Sequence, residues 1–235
     1  MPHISLIGLC IPGQTLTIQG HMHPCFGSLA FSVVLISPGA LAAQTPPADT
    51  APVARFAYPE KLRYAGLPNF GKVNDSLYRG AQPNAEGFQQ LKRLGIATII
   101  DLRREEPGKV EWERQQSQAL GMRFLHLPVS GWSTPSDEQV ARFLAIIRSS
   151  GNEKIFVHCH FGEDRTGVFI ASYRIAFDHW SADQAVSEML AFGFNRWWHP
   201  SMASYVRNLA SRVQKDPLLK SALAPQVTAP HELAR

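Results

Sequence analysis

The stretch Ile155-Phe156-Val157-His158-Cys159-His160-Phe161-Gly162-Glu163-Asp164-Arg165-Thr166-Gly167 decides how this chain is read. It opens with a short apolar run suited to a buried strand. A turn containing Gly162 follows, and then a helix expected from about Thr166. A loop that leaves a strand and enters a helix lies at the carboxyl end of the sheet, where open α/β folds bind ligands. A Cys followed by five residues and an Arg can wrap one turn of loop around a tetrahedral oxyanion. The backbone N–H groups then point inward and form a nest. The helix start adds its positive dipole end, and Gly162 permits a backbone angle that a Cβ would resist. Arg165 brings a planar fork that holds two oxygens at once.

The same electropositive surroundings favour thiolate at Cys159, which makes it a candidate nucleophile for in-line attack on phosphorus. His160, Phe161, Gly162, Glu163 and Thr166 are the expected remainder of the phosphate-binding loop. The Thr166 hydroxyl is placed to hydrogen-bond the sulfur and ease its departure. His158 is expected to point away from the loop centre and to orient its neighbours.

Outward from this loop, strands and helices alternate. Strands are expected at Ser76–Arg79, Ala97–Leu102 and Arg123–Leu127. Asn84 can cap a helix whose apolar face is Phe88, Leu91 and Leu94, ended by Gly95. A polar helix runs from about Lys109 to Leu120. Ser136 with Gln139, and Ser181 with Gln184, have the capping-box spacing of two further helix starts. Val206, Leu209, Ala210 and Val213 mark a last amphipathic helix. This alternation predicts a single α/β domain with a mostly parallel central sheet flanked by helices.

The ends read differently. Within 235 residues, the domain is expected at 70–215. Residues 1–43 read as a leader, 44–69 as a linker and 216–235 as a loose Pro- and Ala-rich tail. The first Lys or Arg in the chain is Arg55, and Leu29–Ile36 is an apolar run too short to span a bilayer. Ala40-Leu41-Ala42 is a small-x-small cleavage pattern, so a signal peptide removed near Ala42 is expected. That implies a periplasmic or secreted protein with no stable membrane insertion after processing. Met22 is an alternative start. Cys10 and Cys25 lie in the leader, which leaves Cys159 as the one cysteine of the processed chain. The net charge of +4 favours anionic ligands weakly, but no basic block or stripe points to nucleic acid. A monomer is expected.

Cys159 through Gly167 resembles the signature of the protein tyrosine phosphatase superfamily, H-C-x-x-G-x-x-R-[ST]-G. The Asp-Arg-Thr-Gly ending is similar to its bacterial and atypical dual-specificity branch. The likeness takes in Leu77-Tyr78-Arg79-Gly80-Ala81-Gln82-Pro83 and Ile100-Asp101-Leu102-Arg103. With the leader, it extends to exported bacterial tyrosine phosphatases. The resemblance implies a hydrolase that needs no cofactor and no metal. It would act on a phosphorylated protein or small phosphoester through a phosphocysteine on Cys159, with phosphotyrosine first and phosphoserine and phosphothreonine as further substrates.

The family places an Asp general acid on a separate loop, but Leu127–Pro135 contains no carboxylate. Asp164, inside the phosphate loop, is the first candidate. Asp101, ending a strand, and Asp137, opening a helix, are alternatives. A weak or displaced acid suits a phenolate leaving group, with a pKa near about 10, better than an alkoxide. Trp132, or Trp197 and Trp198, could line the mouth; the expectation for the latter two is packing in a C-terminal core. Arg103, Arg104 and Arg196 are candidates for positive potential there. Glu163 and Asp164 argue against a dense polyanion as substrate. A phosphate-binding module without turnover is the reading from another class.

Overall fold

The computed structural model describes residues 59–224; the leader, its cleavage pattern, Cys10 and Cys25 lie outside them. The elements run β1 (Gly71–Lys72), β2 (Leu77–Gly80), α1 (Ala85–Arg93), β3 (Ile96–Arg103), α2 (Pro107–Ala119), β4 (Arg123–Val129), α3 (Asp137–Ser149), β5 (Lys154–His158), α4 (Asp164–Ala176), α5 (Ala182–Ala191), α6 (Pro200–Lys215) and α7 (Pro217–Leu223). One sheet has the order β1-β2-β5-β3-β4. Only the short β1 edge is antiparallel; β2, β5, β3 and β4 pair in parallel.

Period-two alternation divides the core between the two faces of this sheet. Leu77, Ile100, Leu102, Ile155 and Val157 point to one face and pack with apolar residues of α3 to α7. Tyr78, Ile99 and Phe156 point to the other and pack with Phe88 and Leu91 of α1 and Val110 of α2. Strands buried on both faces need apolar residues at most positions, which explains the apolar run in β3, interrupted by Thr98 and Asp101. The helix starts follow local chemistry. Asn84 accepts a hydrogen bond from Gly87 N–H at 2.9 Å. Both capping boxes form, at Ser136 with Gln139 and at Ser181 with Gln184.

The described fold extends past both expected limits. Lys61 bridges to Gly71, and Leu67 and Phe70 are core residues, so structure begins before residue 70. At the other end the expected loose tail is wrong for its first residues. Asp216 caps α7 by accepting from Leu218 N–H. Leu219 of α7 is fully buried against the main core. Seven residues with three leucines carry too weak a periodic signal for a helix that exists because α3 and α6 provide a surface for it.

Parallel register places the site. Gly80 of β2 and Asp101 of β3 both lie opposite His158, and Arg103 of β3 lies opposite Val129 of β4. Four strand ends therefore reach one edge together. The segments leaving them, Ala81–Pro83, Arg104–Glu106, Ser130–Trp132 and Cys159–Glu163, surround a common space.

Candidate active site

A cavity of about 810 Å³ opens at that edge. Cys159 and Arg165 line it, with Arg104, Glu105 and Glu106 from the β3 end, Trp132 from the β4 end, and Trp198 and His199 from the segment before α6. Cys159 itself is almost fully buried and is a free thiol.

The loop around Cys159 keeps its amides free. None of the backbone N–H groups from His160 to Thr166 donates a hydrogen bond within the described structure; the first of the helix is Gly167 N–H to Glu163 C=O at 2.9 Å. Glu163, the residue before α4, provides no side-chain cap. Seven consecutive donors with no protein acceptor are a nest for an anion, since unpaired amides otherwise cost free energy. Gly162 makes the curvature possible with φ of +72°.

Arg79, read above as a strand residue and as part of a resemblance, supports the loop from beneath. It is fully buried at the end of β2, and its Nη2 donates to Gly162 C=O at 3.0 Å. It also stacks over the Phe192 ring at 3.9 Å. Burial lowers its pKa to about 10, against the pull of the Glu188 carboxylate and the Cys159 sulfur. Glu188 of α5 stands 3.5 Å away.

Arg165 is gripped by Glu105, a residue that the sequence alone did not mark. Nη1 and Nη2 donate to the two carboxylate oxygens at 2.8 and 2.6 Å. The bond to Arg165 is the main reason that the Glu105 pKa falls to about 2. The pair uses the end-on edge of the guanidinium. Glu105 thus fixes the fork and is held too firmly ionised to donate a proton.

The three candidate acids separate. Asp101 is fully buried and does not line the cavity. Its Oδ1 accepts from Arg103 N–H at 2.9 Å and from Nε at 3.0 Å, and its Oδ2 accepts from Nη2 at 2.8 Å. Burial pushes its pKa up, but His158 and Arg103 outweigh that and hold it below the usual carboxylate value. Asp137 is bound by Arg212 at 2.6 Å and by the Tyr205 hydroxyl at 2.9 Å, away from the cavity lining. Asp164 lines the cavity. It accepts from Asn195 N–H at 3.3 Å, and the other carboxylate oxygen is 3.6 Å from His199 Nε2.

His160 and Phe161 line the cavity; Phe161 is 63% exposed. Burial, reinforced by the charge of Asp164, raises the Glu163 pKa. The Thr166 hydroxyl is buried with no hydrogen-bond partner, which leaves it available to the site. His158 points away: Nδ1–H donates to Cys159 C=O at 3.3 Å, and Nε2 lies 3.1 Å from Glu113. The donor atoms of Asp101, Glu113 and His158 lie within 4.8 Å of one another, as in a metal site. The cation among them is the Arg103 guanidinium, 2.6 Å from Glu113.

Two expectations are corrected. Trp197 and Trp198 are 81% and 71% exposed and pack no core; α6 buries Met202, Tyr205, Val206 and Leu209 instead. Arg103 is fully buried in its ion pairs and lends nothing to the mouth, whereas Arg104 lines the cavity.

A nucleophile-bearing loop of this geometry, at the carboxyl edge of a largely parallel sheet, defines a domain of the cysteine-phosphatase type. The chain belongs to the family described as DSP-PTPase phosphatase fused to NAD+ kinase, whose model matches residues 65–198. It is similar to the dual specificity protein phosphatase TpbA of Pseudomonas aeruginosa, at 30% identity over 127 residues. That match covers 54% of this chain and 55% of the relative, so the chain spans about half that protein's length. The crystal structure of P. aeruginosa TpbA superposes with a TM-score of 0.58 at 25% identity, covering 73% of this chain and 99% of that one. A structure of TpbA in complex with phosphotyrosine has the same fold, with a TM-score of 0.57 at 24% identity, covering 69% of this chain and 99% of that one.

Proposed function

We propose that this protein hydrolyses phosphomonoesters, phosphotyrosine and other aryl phosphates before all others, through a phosphocysteine on Cys159. The observation that carries the reading is the row of unpaired N–H groups from His160 to Thr166, curled beside Cys159 and Arg165. Such a nest binds the three equatorial oxygens of a phosphoryl group and gains strength as charge spreads over them in the transition state. Arg165, with its end-on edge taken by Glu105, keeps its Nε edge for the same oxygens.

In the first half-reaction the Cys159 thiolate forms the S–P bond as the P–O bond to the leaving group breaks, and Asp164 protonates the departing oxygen. In the second, water attacks phosphorus and gives a proton back to Asp164. The S–P bond breaks with the thiolate as leaving group, eased by the Thr166 hydroxyl. Each half uses the same positions in reverse roles. An acid inside the phosphate loop suits a phenol, which needs less protonation to leave than an alcohol does. The exposed Phe161, Trp132 and Trp198 offer apolar faces to an aromatic ring. Glu105, Glu106, Glu163 and Asp164 around the cavity oppose a densely charged polyanion.

The test is hydrolysis of 4-nitrophenyl phosphate and of a phosphotyrosine peptide in EDTA. Turnover that is lost in Cys159→Ser and blocked by vanadate is expected. Absence of turnover by folded wild-type protein would reject the reading. The leader reading makes the protein an exported one, periplasmic or secreted. Amino-terminal sequencing of the mature protein should find a start within a residue or two of Ala43, and an intact amino terminus would reject export by cleavage.

A further inference from the structure

Several titratable side chains at the cavity have no part in the reaction as written above, and one of them is buried. His199 precedes α6 and lines the cavity, yet the residue is only 7% exposed. Its position invites a structural explanation, capping of α6, but the side chain makes no cap bond. Nδ1 is buried without a hydrogen-bond partner. Nε2 stands 3.6 Å from Asp164 Oδ2, within ion-pair range. Trp132 covers the ring, with centroids 5.6 Å apart. A buried imidazole that bonds to nothing structural needs a reason to be there.

The chain takes trouble to bring it there. Asn195 Oδ1 accepts from the N–H groups of Trp197 and Trp198 at 3.1 and 3.2 Å, and Asn195 C=O accepts from His199 N–H at 3.0 Å. The turn folded around Asn195 therefore returns His199 to the site. The N–H of the same Asn195 donates to Asp164 Oδ1. One residue thus positions both partners: its N–H holds Asp164 Oδ1, and Oδ2 faces His199 Nε2. The two groups come from α4 and from the segment before α6, so no local spacing joins them.

We propose that Asp164 and His199 form a proton-sharing dyad, and that this pair replaces the carboxylate missing from the segment after β4 as the acid and base of the reaction. The proposal rests on the phosphatase reading. The dyad enters the first half-reaction with one proton held between Asp164 Oδ2 and His199 Nε2. As S–P forms and P–O breaks, that proton passes through Asp164 to the leaving oxygen, leaving a carboxylate and a neutral imidazole. In the second half the dyad takes one proton from the attacking water, and the products are inorganic phosphate and the thiolate. Asp164 touches the reacting atoms; His199 is a positioning residue that stores the proton and aims the carboxyl group.

The experiment compares two leaving groups on the full chain. With phenyl phosphate, whose phenol leaves poorly, His199→Ala should lower kcat/KM, which reports only the first half-reaction, by about 10–100-fold, part of what acid catalysis typically contributes. With 4-nitrophenyl phosphate, whose leaving group needs little protonation, the loss should stay within about 3-fold. His199→Gln, which keeps an N–H donor toward Asp164, should recover part of the phenyl phosphate rate. Asp164→Asn combined with His199→Ala should lose no more than Asp164→Asn alone, as expected of groups that act as a unit. Equal losses on both esters, or a double variant that multiplies the single losses, would overturn the dyad. Wild-type turnover abolished by Cys159→Ser upholds the phosphatase reading whichever way His199 behaves, whereas absent wild-type turnover removes both.

Discussion

Replacing Gly162 by Ala probes the contact on which the phosphate loop depends. A Cβ at this position would stand 2.4 Å from the carbonyl carbon and oxygen of Gly80 and 2.6 Å from Ala81 N. All three are backbone atoms at the end of β2, so no side chain can swing aside. The φ of +72° adds the left-handed penalty of about 1–2 kcal/mol for a residue with a Cβ. Relief of the clash costs a further ~1–3 kcal/mol, the range for overpacking. It also strains two bonds that tie the loop down, Arg79 Nη2 to Gly162 C=O at 3.0 Å and Gln82 N–H to His160 C=O at 3.1 Å. The sum is about 2–5 kcal/mol. For a domain of this size each kcal/mol lowers Tm by about 2–4 °C, so thermal unfolding should show a fall of about 4–20 °C. Activity should fall further, by about 100-fold or more, because a displacement near 1 Å misaims the N–H groups that hold the phosphoryl oxygens. Gly108→Ala is the control, since a Cβ there meets nothing within 4 Å and should not lower Tm. A Gly162→Ala protein with Tm within 2 °C of wild type and unchanged kcat/KM would refute the packing of the loop on β2 (thresholds set well below the about 4 °C minimum effect).

Three further outcomes follow from particular contacts. Leu219→Ala should cost about 2–5 kcal/mol in chemical denaturation, because Leu219 is fully buried and leaves a cavity; a loss under about 0.5 kcal/mol, the surface range, would show that α7 does not dock. Burial pulls the His158 pKa down, but Glu113 and Asp101 outweigh it and raise it above its ordinary value. The stability that this pairing contributes is therefore full below about pH 6.5 and is lost as pH rises through the folded value. Wild-type Tm should fall across that window while His158→Asn stays flatter, and parallel curves would contradict the pairing. Trp198→Ala should leave Tm unchanged, as the ring is exposed. It should raise KM for aryl phosphates by about 2–10-fold, from a ring contact worth about 0.5–1.5 kcal/mol, and an equal rise for an alkyl phosphate would argue against stacking.

What could be read from the chain was whatever its near neighbours in sequence decide. Asn84, Ser136 and Ser181 cap helices through groups three residues away. The β-branched run of β3 needs only its own composition to become a buried strand. Cys159, Gly162, Arg165 and Thr166 lie within one turn of loop and helix, so their joint chemistry was legible from spacing. The remaining parts of the site meet across the fold. Glu105 finds Arg165, sixty residues on, because parallel register brings the ends of β3 and β5 to one edge. Arg79 reaches Gly162, eighty-three residues away, for the same reason. The candidate acids Asp101, Asp137 and Asp164 look alike as letters. Only packing separates a carboxylate locked to Arg103 and one held by Arg212 from one that faces the cavity beside His199. Trp197 and Trp198 were misread because apolar character predicts burial on average, whereas a tight turn around Asn195 points both outward. Local propensity acts over three or four residues, but a reactive site is assembled by contacts that the chain makes only after its sheet has closed in register.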